Sequence, residues 1–313
     1  MPKIRVDEQT APLLSVVVVV YNMRREAPRT LYSLSPDYQK NVEPGSYEVL
    51  VVENGSGEPL DRSWVAGLGP TFRYFSLADA SPSPAAAINF ASRQSRSEHI
   101  GIIVDGARIV SPGMLGLVMQ CLKAFSRAVI GTLGFHLGPD LQIHATKHGY
   151  DQAAEDELLT GIGWPEDGYR LFEIATLALS SRRGWFGCPY ESNCVFMPRA
   201  LFEELGGFEE AFDAPGGGMV NLDFWRRACG LPDSTLITLF GEGSFHQTHG
   251  GAATGRTPEE LSELALLWDA QYQSIRGEPF ANPERRPLLV GYADPVALSA
   301  GLAGGLGLES DRN

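Results

Sequence analysis

Polar side chains that could bind a ligand follow three apolar segments of the chain, at the points where those segments end. Tyr21 and Asn22 follow the first segment, and Glu53 and Asn54 follow the second. Asp105 follows a later one. Because the carboxyl ends of parallel strands meet at one edge of a sheet, these side chains are expected to line a single cleft. Taken singly, each is also compatible with an ordinary loop start.

The residues after the first apolar segment exclude two common nucleotide-binding motifs. The chain has neither the GxGxxG of dinucleotide-binding dehydrogenases nor the GxxxxGK[ST] of a P-loop at that place. It carries side chains, from Tyr21 to Arg25, where those folds expose bare backbone. This suits recognition of a base or a ribose better than the cradling of phosphate.

The order of elements that must position these residues predicts an α/β fold. Strands alternate with helices in the first third of the chain, which indicates a parallel, doubly wound sheet with right-handed crossovers. The predicted elements of this part are strands at Leu14 to Val20, Tyr47 to Val52, Thr71 to Phe75 and Ile100 to Val104, and helices at Pro28 to Leu34 and Pro84 to Ser95. Later ones are helices at Met114 to Phe125, Phe202 to Phe208, Asn221 to Cys229 and Glu259 to Ile275, and strands at Val129 to Phe135 and Leu236 to Phe240. Residues 138–170 are predicted to form long loops.

Composition limits the partners of the chain. Its 313 residues carry a formal net charge of -13 with no Lys/Arg-rich run, so a nucleic-acid partner is not expected. Four scattered cysteines without CxxC spacing predict buried thiols in a reducing cytoplasm. The polar N-terminus and the short apolar runs predict neither a signal peptide nor a transmembrane segment. We therefore expect a cytoplasmic protein.

A set of short motifs, in order along the chain, resembles the family 2 glycosyltransferases, which have the GT-A fold. The opening strand matches Val16 to Asn22, the acidic loop Val51 to Ser56, and the helix ending in Asn Ala86 to Asn89. The position of the DxD motif is at Ile102 to Ala107. The acceptor-domain signature has two parts, Asn193 to Phe196 and Leu205 to Glu210. The resemblance covers about residues 13–250. It implies a nucleotide-sugar-binding half (1–110), an acceptor-binding half (111–255) and a helical extension (256–313) whose last residues are Gly-rich and disordered.

The resemblance also implies roles for the donor side. The predicted nucleotide-sugar site consists of Tyr21, Asn22, Glu53 and Asn54 around the base, Asn89 beneath it, and Asp105 with Gly106 at the ribose or the metal-bound diphosphate. A divalent cation, Mn²⁺ or Mg²⁺, would neutralise the diphosphate leaving group. The donor would be a UDP, GDP or dTDP sugar.

The metal site departs from the family pattern. The third residue of the DxD place is Ala107, whose methyl group cannot bind a cation. Either Asp105 binds the metal alone, another group helps, or no metal is used. His246 best matches a histidine that such enzymes use as a metal ligand, and His249 is a second candidate that could instead bind the diphosphate. The alternative is one core and one surface histidine, and no third spaced Cys or His supports a separate zinc site.

The catalytic base is predicted to be Asp223, the carboxylate nearest to the usual base position of inverting relatives. That position itself falls on Asn221, which cannot act as a base. Asp223 could equally be a helix N-terminal carboxylate, and Glu191 and Asp213 are weaker alternatives. The Asn-Leu-Asp stretch also resembles retaining polypeptide N-acetylgalactosaminyltransferases, so the stereochemical outcome stays open.

The expected function is transfer of a sugar from a nucleotide-sugar donor to an acceptor hydroxyl that the sequence does not identify. Two alternatives remain open. Ala107 and Asn221 are compatible with a catalytically degenerate nucleotide-sugar-binding protein, and Arg24-Arg25 gives slight support to a nucleotidyltransferase of related fold.

Overall fold

The Val-rich segment at the start of the chain forms β1 (Leu14–Val20), and every residue of this strand is buried. A strand with no polar face must have cover on both sides, as the central strands of parallel sheets do. In this computed structural model, which describes residues 11–250 and 258–302, that cover comes from two apolar layers. Val16, Val18 and Val20 point into one layer, and Val17 and Val19 point into the other.

The described residues form ten strands in one sheet, together with helices on its faces. The strands after β1 are β2 (Tyr47–Glu53), β3 (Phe72–Ser76), β4 (His99–Ile103), β5 (Arg108–Val110), β6 (Ala128–Leu137), β7 (Ala175–Leu177), β8 (Cys194–Pro198), β9 (Thr235–His246) and β10 (Leu288–Gly291). The helices are α1 (Ala27–Ser33), α2 (Arg62–Gly67), α3 (Ala85–Gln94), α4 (Met114–Ala124), α5 (Gln142–Ala145), α6 (Gln152–Gly161), α7 (Arg199–Glu204), α8 (Val220–Cys229), α9 (Pro258–Arg276) and α10 (Pro295–Leu302). Short 3₁₀ segments occupy Thr146–His148, Gly168–Ile174, Leu179–Ser181 and Pro215–Gly217.

The sheet is mostly parallel, as predicted. Its order is β10-β9-β6-β8-β4-β1-β2-β3, with β5 paired to β9 and β7 paired to β6. Within this order only β8 runs against its neighbours, β4 and β6. The prediction of an α/β fold with a mostly parallel sheet flanked by helices is confirmed.

Strand β9 is longer than predicted and contains an irregularity where it pairs with β6. Gly131 lies opposite Thr238, but Leu133 lies opposite Gly243, so one residue of β6 faces four residues of β9. Gly241 has a φ of +85° within this bulge. The second half of β9 continues to His246, so this histidine ends a strand of the sheet, and His249 lies in the segment after it.

Two parts of the chain differ from their predicted form. Residues 138–170 are not long loops, because they contain α5 and α6. The C-terminal extension is helical as predicted, with α9 and α10, but it also supplies the edge strand β10, which pairs in parallel with β9. The predicted disordered tail, apart from its first two residues, lies outside the described residues. In the ranges 11–250 and 258–302, no helix is both long and apolar enough to cross a bilayer.

Candidate functional site

The loop after β2 is held by the carboxylate of Glu53. Its side chain is only 1% exposed and accepts hydrogen bonds from the Ser56 hydroxyl and from the Leu60 backbone N–H at 2.9 Å. Burial raises the pKa of Glu53, and the two hydrogen bonds oppose that rise. Glu53 therefore shapes the loop that follows β2, and both of its oxygens are already engaged.

The residues after β1 lie against this loop. The backbone N–H of Asn22 donates to Ser56 Oγ at 2.7 Å, and Gly57 N–H donates to the Asn22 side chain at 2.9 Å. Asn22 has a φ of +52°, a conformation that asparagine tolerates better than most residues. Tyr21, by contrast, is 56% exposed. The structure thus brings Tyr21, Asn22 and Glu53 together at the carboxyl ends of β1 and β2.

Asn54 offers an unused hydrogen-bond acceptor at the same edge. Its side-chain nitrogen donates to Ser81 O at 2.9 Å, while Oδ1 is buried and has no protein partner. An unpaired buried carbonyl oxygen costs about 1–3 kcal/mol. A bound ligand with an N–H group would remove that cost.

Asn89 binds the segment that follows α7. Its side-chain nitrogen donates to Phe208 O and to Glu210 Oε1, both at 2.8 Å, and its oxygen accepts from Phe208 N–H at 2.9 Å. Every polar atom of the Asn89 side chain is thus engaged with residues 208–210. These contacts do not test its predicted position beneath the nucleotide.

The turn after β4 places Asp105 against Arg108. The Arg108 Nε donates to Asp105 Oδ2 at 2.8 Å, and the Ala107 backbone N–H donates to Oδ1 at 3.0 Å. Burial alone would raise the pKa of Asp105, but Arg108 and the nearby His246 and His249 lower it to about 2. The carboxylate is therefore ionised at every physiological pH.

Strand pairing brings the two predicted histidines to Asp105. In the antiparallel pair of β5 and β9, Arg108 lies opposite His246, and the Gln247 N–H donates to Ala107 O at 2.8 Å. His246 Nε2 is 4.0 Å from Asp105 Oδ2 and 3.0 Å from His249 Nε2. The side chain of Ala107 is fully buried, and its methyl group has no atom that can bind a cation.

These three residues fit a divalent cation. Among the described residues, Asp105, His246 and His249 are the group of potential ligands whose atoms all lie within 4.8 Å of one another. Burial first, and then Arg108, lower the pKa of His246 well below its ordinary value, so the imidazole is neutral and able to bind a metal. A carboxylate with two imidazoles suits Mn²⁺ better than Mg²⁺.

A third histidine, not considered from the sequence, lies beside this group. His136 is opposite His246 in the pairing of β6 with β9, and their ring centroids are 5.6 Å apart. Burial, followed by the charge of Arg108, lowers the pKa of His136 to about 4. Its Nδ1 and that of His246 are buried without a partner. The cluster therefore has unused imidazole nitrogens at its inner side.

The segment before β8 and the start of α8 contribute two amides and one carboxylate. The side-chain amides of Asn193 and Asn221 are 2.9 Å apart. In the orientation that satisfies both ends of its amide, Asn193 donates to Glu191 Oε1 at 3.2 Å and accepts from Arg108 Nη2 at 3.3 Å. Burial raises the pKa of Glu191, Arg108 and the two amides lower it, and Asp105 raises it further. Glu191 is thus electrostatically linked to the Asp105 turn.

Asp223, the predicted base, is enclosed by two arginines. Its Oδ1 accepts from Arg276 Nε at 2.7 Å, and its Oδ2 accepts from Arg227 Nε and Arg276 Nη2, both at 2.8 Å. The side chain is only 1% exposed. These contacts are those of a buried ion pair between α8 and α9.

A cavity of about 690 Å³ opens next to His249. Its lining includes Arg25, Tyr150, Gln152 and Thr248. Arg25 fixes α6 beside this cavity, because it donates to Gln152 O at 2.7 Å and to Asp156 Oδ1 at 2.6 Å. The cavity has room for part of a small-molecule ligand.

Two residues of the site, Arg108 and His136, were not predicted, although the sequence carries a signal for each. Arg108 stands three residues after Asp105, and this close spacing of opposite charges was available as a signal. His136 lies one residue past the predicted end of its strand, and a polar residue at such an end is the signal that identified Asp105.

Comparison with known protein families gives no match. Two curated proteins are similar over most of the chain. The uncharacterized protein y4gI of Sinorhizobium fredii is 24% identical over 265 residues, covering 82% of this chain and 27% of that protein. Validoxylamine A glucosyltransferase of Streptomyces hygroscopicus subsp. limoneus is 26% identical over 300 residues, covering 87% of this chain and 58% of that protein. The chain therefore spans less than two thirds of the length of these relatives.

Solved structures of S. aureus TarS 1–349 resemble the fold. The complex with UDP has a TM-score of 0.51 at 14% identity and covers 83% of this chain and 65% of that chain. The complex with UDP-GlcNAc has a TM-score of 0.51 at 15% identity and covers 83% and 66%. At these identities the likeness concerns the arrangement of the sheet and helices.

Proposed function

We propose that this chain is a glycosyltransferase that moves a sugar from a nucleotide-diphosphate sugar to an acceptor hydroxyl. The observation that carries the proposal is the meeting of Asp105, His246 and His249 at the carboxyl edge of the sheet, beside an open cavity. Carboxyl edges of parallel strands are where ligands bind in such folds. Asp105 lies far in sequence from His246 and His249 and converges with them there, as the resemblance to family 2 glycosyltransferases and their GT-A fold implies.

The named relatives support the same class of reaction. One similar protein is a glucosyltransferase, and the similar TarS structures hold UDP and UDP-GlcNAc. These are properties of those proteins, and we extend them to this chain as a proposal. A uridine nucleotide sugar is therefore the first donor to test, before GDP and dTDP sugars.

In this proposal, residues at the ends of β1 and β2 recognise the nucleoside. Tyr21 has an exposed ring on which a base can stack, and Asn54 has a buried carbonyl oxygen that lacks a donor. Glu53 and Asn22 act indirectly, because their hydrogen bonds hold the loop of residues 54–60 in shape. Asn89 anchors the acceptor-side half against α3.

Asp105, His246 and His249 would hold Mn²⁺ or Mg²⁺, which neutralises the diphosphate leaving group when it is bound. Arg108 has a different task. It is bonded to Asp105, orients that carboxylate and adds a fixed positive charge to the region where the leaving group would lie. The two histidines supply the metal ligands that the chain lacks at Ala107.

Binding of Mn²⁺ and of nucleotide sugars can be tested in sequence. We expect calorimetry to detect Mn²⁺ binding to the full chain and Asp105→Ala and His249→Ala each to weaken it at least about 10-fold. With Mn²⁺ present, a matching donor at about 100 times its Kd should stabilise the folded protein by about 2.7 kcal/mol in a thermal shift. His148→Ala, at an exposed histidine outside the site, is the matched control and should bind both like the parent protein.

Absence of binding to any UDP, GDP or dTDP sugar, with Mn²⁺ or Mg²⁺, would contradict the proposal. A second candidate function is favoured by Ala107 and Asn221, which lack the carboxylates of the family pattern. A degenerate nucleotide-sugar-binding protein would bind the donor and never release the nucleoside diphosphate. Release of UDP from UDP-GlcNAc or UDP-glucose, followed over hours, separates the two functions.

A further inference from the structure

We infer that Glu191 is the catalytic base of the proposed transfer, which makes this inference dependent on the proposed function. It takes the role that the family pattern would give to residue 221, where the chain carries an asparagine. The argument rests on position, on hydrogen-bond partners and on the state of the rival carboxylates.

The backbone places Glu191 at the junction of the two halves. Glu191 stands three residues before β8, and the Val104 N–H donates to Asn193 O at 3.2 Å. Ser192 fixes the same segment, because its hydroxyl donates to Cys194 O at 2.9 Å. The backbone hydrogen bond between Asn193 and Val104 thus holds Glu191, two residues before Asn193, close to the turn that carries Asp105.

Side-chain contacts then orient the carboxylate. Asn193 donates to Glu191 Oε1 at 3.2 Å and accepts from Arg108 Nη2 at 3.3 Å, while Arg108 also binds Asp105. A continuous chain of polar contacts therefore links Glu191 to the donor-side turn. The Asn221 amide also hydrogen-bonds this carboxylate. A carboxylate has about four lone-pair sites, so two amide donors leave room for the proton of an acceptor hydroxyl.

The rival carboxylates are less suitable. Asp223 accepts three hydrogen bonds from Arg227 and Arg276, which would oppose uptake of a proton. Asp213 is exposed and is bonded by Gln271 Nε2 at 2.7 Å. Asp105 is ionised and bound by Arg108. Burial raises the pKa of Glu191, which further favours a base that works near neutral pH.

The step is a single displacement at the anomeric carbon. The acceptor oxygen forms a bond to that carbon while its proton passes to Glu191. The bond between the anomeric carbon and the diphosphate oxygen breaks, and its electron pair leaves with the nucleoside diphosphate. Because the acceptor attacks opposite to the leaving group, a base in this role requires inversion of configuration.

The test compares Glu191→Gln with the parent chain, using UDP-GlcNAc and UDP-glucose as probes and water as acceptor. Glutamine keeps the volume and the oxygen that accepts from Asn193. We expect the rate of UDP release to fall by about 100-fold or more, since a general base contributes about 10²–10⁴-fold. Affinity for the same donor should stay within about threefold, because the lost interaction acts in the transition state. Glu203→Gln makes the same change at an exposed position and should not alter either value.

Folding and stereochemistry supply independent readouts. Glu191→Asp keeps the charge and should recover part of the rate, provided that both variants unfold at the parent temperature within a few degrees. Proton NMR of the first sugar released from an α-linked donor should show the β anomer. An undiminished rate in a folded Glu191→Gln protein, or retention of configuration, would overturn the role of Glu191 alone. A parent chain that neither binds nor cleaves any donor would instead remove the proposed function, and this inference with it.

Discussion

At the scale of single residues, Asp223 illustrates how a residue type with two possible roles is resolved by its neighbours. An aspartate near the start of α8 was compatible with a catalytic base and with a helix-terminal carboxylate. The structure adds Arg276, which comes from α9, more than fifty residues further along the chain. No local pattern around residue 223 indicates that partner.

Loss of the Asp223 charge should destabilise the fold. Asp223→Asn leaves Arg227 and Arg276 without their counter-charge, and breaking a buried pair in this way costs about 3–5 kcal/mol. Both arginines are roughly a quarter exposed, so we expect the lower end of that range. Urea denaturation measures the change, and Asp213→Asn, at an exposed aspartate, should stay within about 0.5 kcal/mol of the parent. Equal stability of the two variants would contradict a structural role for Asp223.

The sequence was sufficient to predict which residues meet, and less so what each one does. Asp105, His246 and His249 come together, as the resemblance to family 2 glycosyltransferases implies. Arg108 joins them through a local contact with Asp105, whereas His136 joins them through a contact across the sheet. Such contacts depend on register, and register is not visible in a single sequence without an identified turn.

At the scale of elements, β9 connects the site to a buried polar cluster at its bulge. Glu242, 5% exposed, accepts from the Ser111 hydroxyl and from Tyr169 Oη, the latter at 2.8 Å. Lys40 is the nearby cation. The cluster joins β9 to the turn before α4 and to the 3₁₀ segment of residues 168–174.

Removal of one donor in this cluster should give a pH-dependent loss of stability. Burial raises the pKa of Glu242 above its unfolded value, so stability falls as the pH rises through the interval between the two values. Burial and Glu242 also raise the pKa of Tyr169, which keeps the phenol protonated as a donor. Tyr169→Phe should cost about 1 kcal/mol while Glu242 is protonated and about 2–3 kcal/mol once it is ionised, so we expect a larger cost at pH 8 than at pH 5.

Urea denaturation at the two pH values checks this expectation. Tyr292→Phe is the matched control, since Tyr292 is 80% exposed. A cost for Tyr169→Phe that is the same at both pH values would show that Glu242 does not ionise in this interval.

Helix α6, which the prediction missed, and strand β9, which it made too short, share a physical cause. Helix α6 buries Glu155 and Leu159, one turn apart, so its inner face carries a carboxylate where an apolar residue would mark a helix. Glu155 is paired with Arg25 and with the Thr248 N–H at 2.6 Å. Strand β9 was cut short because Gly241 and Gly243 interrupt its apolar pattern. In both elements, a polar residue or a glycine stands where the sequence pattern requires an apolar residue, and contacts with distant parts of the chain stabilise it there.

At the scale of the whole molecule, the C-terminal segment packs against the part of the chain that carries Trp185. Helix α10 packs on Trp185, which is fully buried and donates from Nε1 to Ala297 O at 3.1 Å. Gly301 lies against the same indole ring, and a Cβ atom built on Gly301 would come within 2.0 Å of Nε1. The fold class was predictable from the first third of the chain, but this packing was not, because it joins segments more than one hundred residues apart.

A methyl group at Gly301 should loosen this packing. Gly301→Ala gains up to about 1 kcal/mol of helix propensity but overpacks against a rigid ring, which costs about 1–3 kcal/mol. We expect a net loss of roughly 1–2 kcal/mol in urea denaturation. Ser299→Ala, at an exposed position of the same helix, should not destabilise the protein. A Gly301→Ala protein as stable as the parent would mean that α10 is not packed on Trp185.

The bulge between β6 and β9 sets the phase of every side chain after it. Four residues of β9, 239–242, stand opposite Thr132 alone, and beyond them Phe245 faces the core while His246 faces Asp105. Side chains alternate along a strand. A deletion of one residue within 239–242 would therefore turn the Phe245 side chain toward Asp105 and the His246 side chain toward the core. Homologues that vary in length at this point are therefore expected to carry their imidazole in a neighbouring alignment column.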